Sequence, residues 1–460
     1  MCSLPPVVSG SRPVVGHSLE FLRDPVPLIE RGHREHGSIC LLHIAGKPMI
    51  ILAGQDYARE FFGQTDNSLS IRDGLACLSR LFGRDFYFLA ETSEYQRQRE
   101  IVLPRFQSRQ LGGYLRIMDS QVSRFIRHLG DQGEFDLLDE LGPVVIRIAA
   151  EAFLGTRVDG NFFAEFRQFS KGIDPVMPGW LPMPHFIRSR RSRERLQAVV
   201  RQMIRARREH PADPADFLQD LTQARYNDGT LVPDDIKVNL VLGFLWAGHE
   251  TTAGQLAWAV IDLLRHPAEL DKVLAEQHEV MPGGGQADMK TVRQLAHLSR
   301  ALHETQRLHP AALGMIRSVT EDTRLDGYLL PRGSRVVLST TVTHRLPELY
   351  DDPDKFLPDR YLENPKAVHQ LIGFGGGMHR CLGMHFAHLE MQILITRLLQ
   401  ALDLELVNPD PQPVRGLRSR WPQGPCQVRY RKRAAIRDLA ADAGPPARTA
   451  LNGLRPGPRV

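Results

Sequence analysis

Several features that would assign a class at once are missing from this chain. No apolar run approaches the roughly 20 residues a spanning helix needs, and the longest candidate, Val238 to Ala247, is about half that. Met1 to Ser11 contains Pro5 and Pro6 and no apolar run of signal-peptide form. A cytoplasmic protein with no transmembrane segment is therefore expected. Cysteine is scarce, with five in 460 residues: Cys2, Cys40, Cys77, Cys381 and Cys426. Odd in number, widely spaced and without a Cys-x-x-Cys pair, they make no disulfide framework and fit a reducing compartment. No dinucleotide fingerprint is present, because Gly373-Phe374-Gly375 has Met378 where the third glycine should fall. The net charge of +5 is mild for the length. It calls for no nucleic-acid partner and allows an attraction to an acidic protein surface.

What is present is mostly helical periodicity. Ile39–Ile44 and Pro48–Ala53 flank Ala45-Gly46-Lys47 as strand, tight turn and strand. After a short helix over Asp56–Phe62, helices are expected over Ser93–Leu103, Tyr114–Gly130, Leu141–Leu154, Phe162–Gly172 and Arg188–Glu209. A long one follows from Pro233 to about Leu264, then Pro267–Val280 and Thr291–Leu308. Strand signals return between Met315 and Leu338, with hairpin turns at Asp326-Gly327 and Arg332-Gly333. The expected fold is mainly α with small β-sheets. Residues 1–433 are expected to form one domain, and 434–460, rich in Ala, Gly, Pro and Arg, a disordered tail.

The densest chemistry lies in Phe374-Gly375-Gly376-Gly377-Met378-His379-Arg380-Cys381-Leu382-Gly383, just before a helical run over Met384–Ala401. A helix N-terminus favours a thiolate through free amides and the positive end of the dipole. Glycines around the cysteine let backbone approach a flat ligand closely. A buried structural cysteine fits the same local pattern. A zinc site built from Cys381, His385 and His388 beside His379 is a further reading, although structural zinc usually takes paired ligands close in sequence.

In full, the segment resembles the haem-binding signature of the cytochrome P450 family, with Phe374, Gly377, His379, Cys381 and Gly383 at the fixed positions. That resemblance implies a haem between a proximal and a distal helix and Cys381 as the thiolate ligand of the iron, whose electron donation favours O–O cleavage. Three other segments resemble family motifs. Glu304 and Arg307, at i and i+3 on one helical face, match Glu-x-x-Arg, with Arg360 as the later arginine that joins them. Ala247-Gly248-His249-Glu250-Thr251-Thr252, a poor helix interior, matches the oxygen-activating motif. The resemblance implies a distorted turn there, with Thr251 ordering oxygen and water and Glu250 feeding protons from solvent. A zinc-protease reading of His249-Glu250 fails because position 253 is Ala253. Tyr95 to Arg99 matches the propionate-binding helix, with Tyr95 where the family has His, and Arg317 fits a second propionate arginine. The cofactor-binding set implied is Cys381, His379, Arg317, Arg99, Tyr95, Phe374, Gly375, Gly383 and Ala247.

The resemblance is nearest in appearance to the sterol 14α-demethylase branch, through Pro5 to Gly10, Pro184-His185-Phe186 and Cys426 to Arg431. The substrate loop departs from that branch, with Leu75 in place of a Tyr and Arg80 in place of a Pro. The expected activity is oxygen insertion from O2 into a bulky apolar molecule, a terpenoid, a steroid-like compound or another bacterial secondary metabolite. Sterol 14α-demethylation is the alternative within the family. A peroxide-driven enzyme and a non-catalytic haem-thiolate sensor are rivals for which the Glu250-Thr251 pair has little use. Pocket candidates are Leu75, Leu78, Leu81, Phe82, Phe88, Phe244, Ala312, Leu313 and Met315. The cofactor is expected to be haem b. Electrons from NAD(P)H are expected through a separate ferredoxin and ferredoxin reductase, docking near Arg97 and Arg380, with the enzyme itself a monomer.

Overall fold

The computed structural model describes residues 3–173, 183–285, 287–417 and 419–433. The tail expected from Ala434 onward lies outside the described residues. The chain folds as α-helices around one long buried helix, Asp234–Arg265, with small sheets at the periphery. At about 1.5 Å per residue its 32 residues span about 48 Å. Pro233 precedes it, and Asp234 and Asp235 place negative charge at the positive end of its dipole. From Thr252 to Leu263 every residue is buried, so this half is enclosed on all sides, and its few polar groups find partners within the protein, as with Asp262, which accepts from Thr305 Oγ1. Leu137–Leu154 packs along it. That helix starts where the Asp136 carboxylate accepts from the amides of Leu138 and Asp139, and stops at Gly155 in a left-handed conformation.

The largest sheet has five strands in the order Ile39–Ile44, Lys47–Leu52, Arg335–Ser339, Gly314–Val319 and Leu69–Ser70. The first pair is the expected hairpin, turning at Ala45-Gly46, both of which have positive φ. A second sheet joins Gln132–Asp136, Gln427–Lys432 and Leu402–Leu406, which are far apart in sequence. Val428 and Tyr430 turn inward there while their neighbours face out.

Two expectations change. The helix foreseen over Thr291–Leu308 is two, Met289–Gln294 and Ala296–Leu308, broken at Leu295. The first begins with a capping box between Asp288 and Thr291. The second begins under Glu276, whose carboxylate accepts from the amides of His297 and Leu298. The helix expected from Tyr114 starts earlier, at Ser108, and runs through Gly112-Gly113 to His128.

Inside this frame Glu304 and Arg307 are wholly buried. Arg307 donates from Nε and Nη2 to the two carboxylate oxygens of Glu304, each at 2.8 Å, and also reaches the carbonyls of His344, Pro353 and Lys355. Arg360 Nε and the Leu357 amide both donate to Glu304 Oε1 at 2.9 Å. The three residues linked by motif therefore meet in one satisfied network beneath the loop that carries Cys381.

Candidate functional site

That loop runs from Ile372 to Gly383. Its start is pinned by the Ile372 amide donating to His344 Nε2 at 2.9 Å, and it closes when the Cys381 amide donates to the Phe374 carbonyl at 2.9 Å. Gly375 and Gly377 have φ of +72° and +61°, the left-handed region that a glycine enters without strain. At Gly376 a Cβ would come within 2.5 Å of the Phe62 ring, so the loop lies directly on the helix Gln55–Gly63. The Cys381 side chain is exposed, yet protein surrounds it densely enough that burial raises its pKa. A thiol that is both enclosed and accessible faces an internal space. The amides of Gly383 and Met384 and the charge of Arg380 act in the opposite sense and favour the thiolate.

The long helix also borders internal space. Ala247 and Thr251 are exposed although they lie within a helix whose following turns are buried, and a Cβ on Gly248 would meet nothing within 4 Å. The helix passes through this segment unbroken, so the expected distorted turn is corrected to a single local feature. Thr251 Oγ1 donates back to the Ala247 carbonyl at 2.7 Å. Trp421 Nε1 donates to the Glu250 carbonyl at 3.0 Å and fixes the opposite side of the turn. His249 packs near Phe166, and burial pushes its pKa down to about 4. Rings connect this helix to the cysteine loop: Phe244 lies 6.0 Å from Tyr87, Tyr87 4.8 Å from Tyr95, and Tyr95 stacks on His379 at 4.1 Å.

Beside His379 lies a basic cluster. Arg317 is buried with its guanidinium over the Phe61 ring, donating to Thr65 Oγ1 and the Ile316 carbonyl. Burial lowers its pKa to about 10. Arg99 Nε is buried with no partner. Among the described residues neither arginine is ion-paired with a carboxylate. His379, with its pKa lowered first by burial, feels both arginines, and its Nε2 lies 2.6 Å from Asp66 Oδ2. The sequence reading did not single out Asp66. Tyr95 differs from expectation, since its hydroxyl donates to the Met378 carbonyl at 2.9 Å. It thus steadies the loop, and its hydrogen is already committed. Arg97 pairs with Asp228 at 2.8 Å in an exposed contact and lies over Tyr226.

Among the pocket candidates, Ala312 is exposed and Leu75, Phe88, Phe244, Leu313 and Met315 are half-buried. Leu78, Leu81 and Phe82 are buried in the main core, with Phe82 against Phe86, Phe169 and Trp246. Next to the basic cluster, a polar cavity of about 470 Å³ is lined by Asp66, Arg72, Tyr95, Thr320 and His379 among others. The zinc reading gains no geometric support: His388 Nε2 is engaged with Ser299 Oγ at 2.9 Å and its ring stacks on His303. The compact His and carboxylate group among the described residues is Glu269, His297 and Asp359, where Lys272 and Arg300 already balance the acids. A thiol facing enclosed space, a buried and a half-buried arginine without carboxylate partners and a small-residue helix face fit a flat, dianionic iron macrocycle.

Comparison with known proteins agrees. Sterol 14alpha-demethylase of Mycobacterium tuberculosis (strain ATCC 25618 / H37Rv) is 29% identical over 450 residues, covering 94% of this chain and 99% of the relative. Sterol 14-demethylase of Arabidopsis thaliana is 28% identical over 447 residues, covering 94% and 92%. Among solved structures, retinoic acid-bound cyanobacterial CYP120A1 superposes with a TM-score of 0.84 at 27% identity, covering 94% of this chain and 100% of the other. The family model for cytochrome P450 matches residues 5–425, and the chain therefore belongs to the cytochrome P450 family of haem-dependent monooxygenases.

Proposed function

We propose that this chain holds haem b through Cys381 and inserts one oxygen atom from O2 into a bulky apolar substrate of the terpenoid, steroid-like or other secondary-metabolite type. The observation that carries the reading is the enclosed but accessible Cys381 thiol, faced by the amides of Gly383 and Met384. When bound, haem supplies the centre at which dioxygen is reduced and its oxygen delivered to a C–H bond. The chain's own residues do the rest. Arg99 and Arg317 bind the two cofactor carboxylates and so gain the carboxylate partners they lack within the protein. The Thr251 hydroxyl, now returned to the Ala247 carbonyl, rotates into the open space and holds a water there. Glu250, the residue immediately before Thr251, passes protons toward it. Ala247, Ala312, Leu313, Met315, Phe244, Leu75 and Phe88 border the substrate, with Leu78, Leu81 and Phe82 packed behind them.

Enzymes of this family draw electrons from redox partners, ultimately from NAD(P)H. For this chain we assign a separate ferredoxin and its reductase, approaching the exposed Arg380 beside the cysteine loop. Arg97, in its exposed pair with Asp228, shares the same surface. A monomer working in the cytoplasm, with residues 1–433 as one folding unit, is part of the same reading. The four described cysteines are all free, in keeping with a reducing compartment. No helix among the described residues is long and apolar enough to cross a membrane.

Sterol 14α-demethylation is the second reading, favoured by the near full-length match to the sterol demethylases. Leu75 and Arg80 in the substrate loop weigh against it. Titrating the ferric haem protein with sterols, terpenoids and retinoid-sized acids, and following the spin-state shift, separates the two. A shift with terpenoids or other steroid-like compounds and none with 14α-methyl sterols is expected. A tight shift with a 14α-methyl sterol, followed by loss of that methyl on turnover, would establish the second reading instead.

A further inference from the structure

We propose that Asp66 is a positioning residue for the cysteine loop, acting through His379. The inference rests on the reading of Cys381 as the haem ligand. Asp66 and His379 are 313 residues apart, yet His379 Nε2 and Asp66 Oδ2 lie 2.6 Å from each other, with side-chain exposures of 4% and 12%. His379 stands two residues before Cys381, so whatever fixes its ring also fixes the backbone that delivers the sulfur. Few other bonds hold this part of the loop. Tyr95 secures the Met378 carbonyl, and the Cys381 amide reaches Phe374.

The segment around Asp66 is built as a platform. Asp66 has φ of +70°, a left-handed conformation that Asp tolerates better than most residues, and its amide donates to the Leu69 carbonyl at 2.8 Å. Just before it, Phe62 fills the space over Gly376, and Thr65 Oγ1 accepts from Arg317 Nε at 3.2 Å. A single turn after the helix Gln55–Gly63 thus touches both the cysteine loop and one of the two unpaired arginines. A buried carboxylate orienting an imidazole next to a metal ligand acts on the ligand's placement, as outer-shell partners do at other metal centres. Without it, His379 keeps a buried N–H with no acceptor, and the loop loses one of its ties.

The test uses the haem-loaded protein and follows the ferrous carbon monoxide complex, whose absorbance distinguishes thiolate from thiol ligation. Wild type must first give the thiolate form; a wild type without it overturns the ligand reading and this inference together. Given that signature, Asp66→Ala should convert from the thiolate to the thiol form about tenfold faster than wild type, the lower end of outer-shell effects. Asp66→Asn, which keeps an acceptor for Nε2–H, should stay near the wild-type rate. His379→Ala should convert at least as fast as Asp66→Ala, and the double variant should convert no faster than His379→Ala, because Asp66 acts through His379. Conversion at the wild-type rate in Asp66→Ala, or fully additive effects in the double variant, would overturn the assignment while leaving Cys381 as ligand.

Discussion

Arg307 and Glu304 place a guanidinium and a carboxylate where no water reaches, so each of their hydrogen bonds must come from protein. They do: the pair is bidentate, three carbonyls accept from the remaining Arg307 donors, and Arg360 and Leu357 complete Glu304. Arg307→Lys keeps the charge but removes the fork, leaving Glu304 Oε2 and some of the three carbonyls without a donor, at about 1–3 kcal/mol for each buried group so stranded. A clear fall in the urea midpoint and loss of haem on purification are expected; an unchanged midpoint would refute the role. Thr251→Ala should leave haem content and substrate binding intact and slow product formation at least about tenfold while reductant is still consumed, as loss of a proton-handling group does. Equal product per reductant in variant and wild type would dismiss the relay. At this scale the sequence was readable where partners are helical neighbours or lie in a recognised motif, as with Glu304, Arg307 and Cys381. Asp66 was invisible, because an aspartate in a turn carries no local sign of the histidine it meets 313 residues later.

The decisive element is the helix Asp234–Arg265. Its Gly248 and its small or hydroxylated residues Ala247 and Thr251 leave room beside a helix otherwise closed by packing. Ala247→Leu adds three carbons to that room. Ala247 offers haem only a methyl contact, so the thiol and the arginines should still hold haem, but substrate should no longer shift the haem spin state. A normal shift in that variant would show that the space beside Ala247 is not where substrate lies. The long helices were legible from their periodicity, and the first hairpin from its turn. The break at Leu295 was not, because the cap that starts the next helix comes from Glu276 on a different helix. The strands Gln132–Asp136, Leu402–Leu406 and Gln427–Lys432 were missed for a related reason. Each is short, and only pairing with distant segments makes them strands.

Over the whole molecule, four enclosed histidines lower stability in acid. Burial pushes His249 and His303 down to about 4, and His344 and His388 to about 3. Each stays neutral in the folded state while the unfolded chain takes up its proton below about pH 6.5, so the unfolded state binds more protons and stability falls as pH drops from about 6.5 toward 4. Each histidine contributes at most about 1.4 kcal/mol per pH unit inside that window. The urea midpoint should therefore be clearly lower at pH 5 than at pH 7 and flat from pH 7 to 8; a flat profile across both ranges would be inconsistent with these buried neutral rings. The central claim is narrower. Wild-type protein, loaded with haem, reduced and exposed to carbon monoxide, should give the red-shifted absorbance of a thiolate-ligated haem, and Cys381→Ser should lose it while substitutions at Cys40, Cys77 and Cys426 do not. A thiolate band that survives in Cys381→Ser would contradict the account.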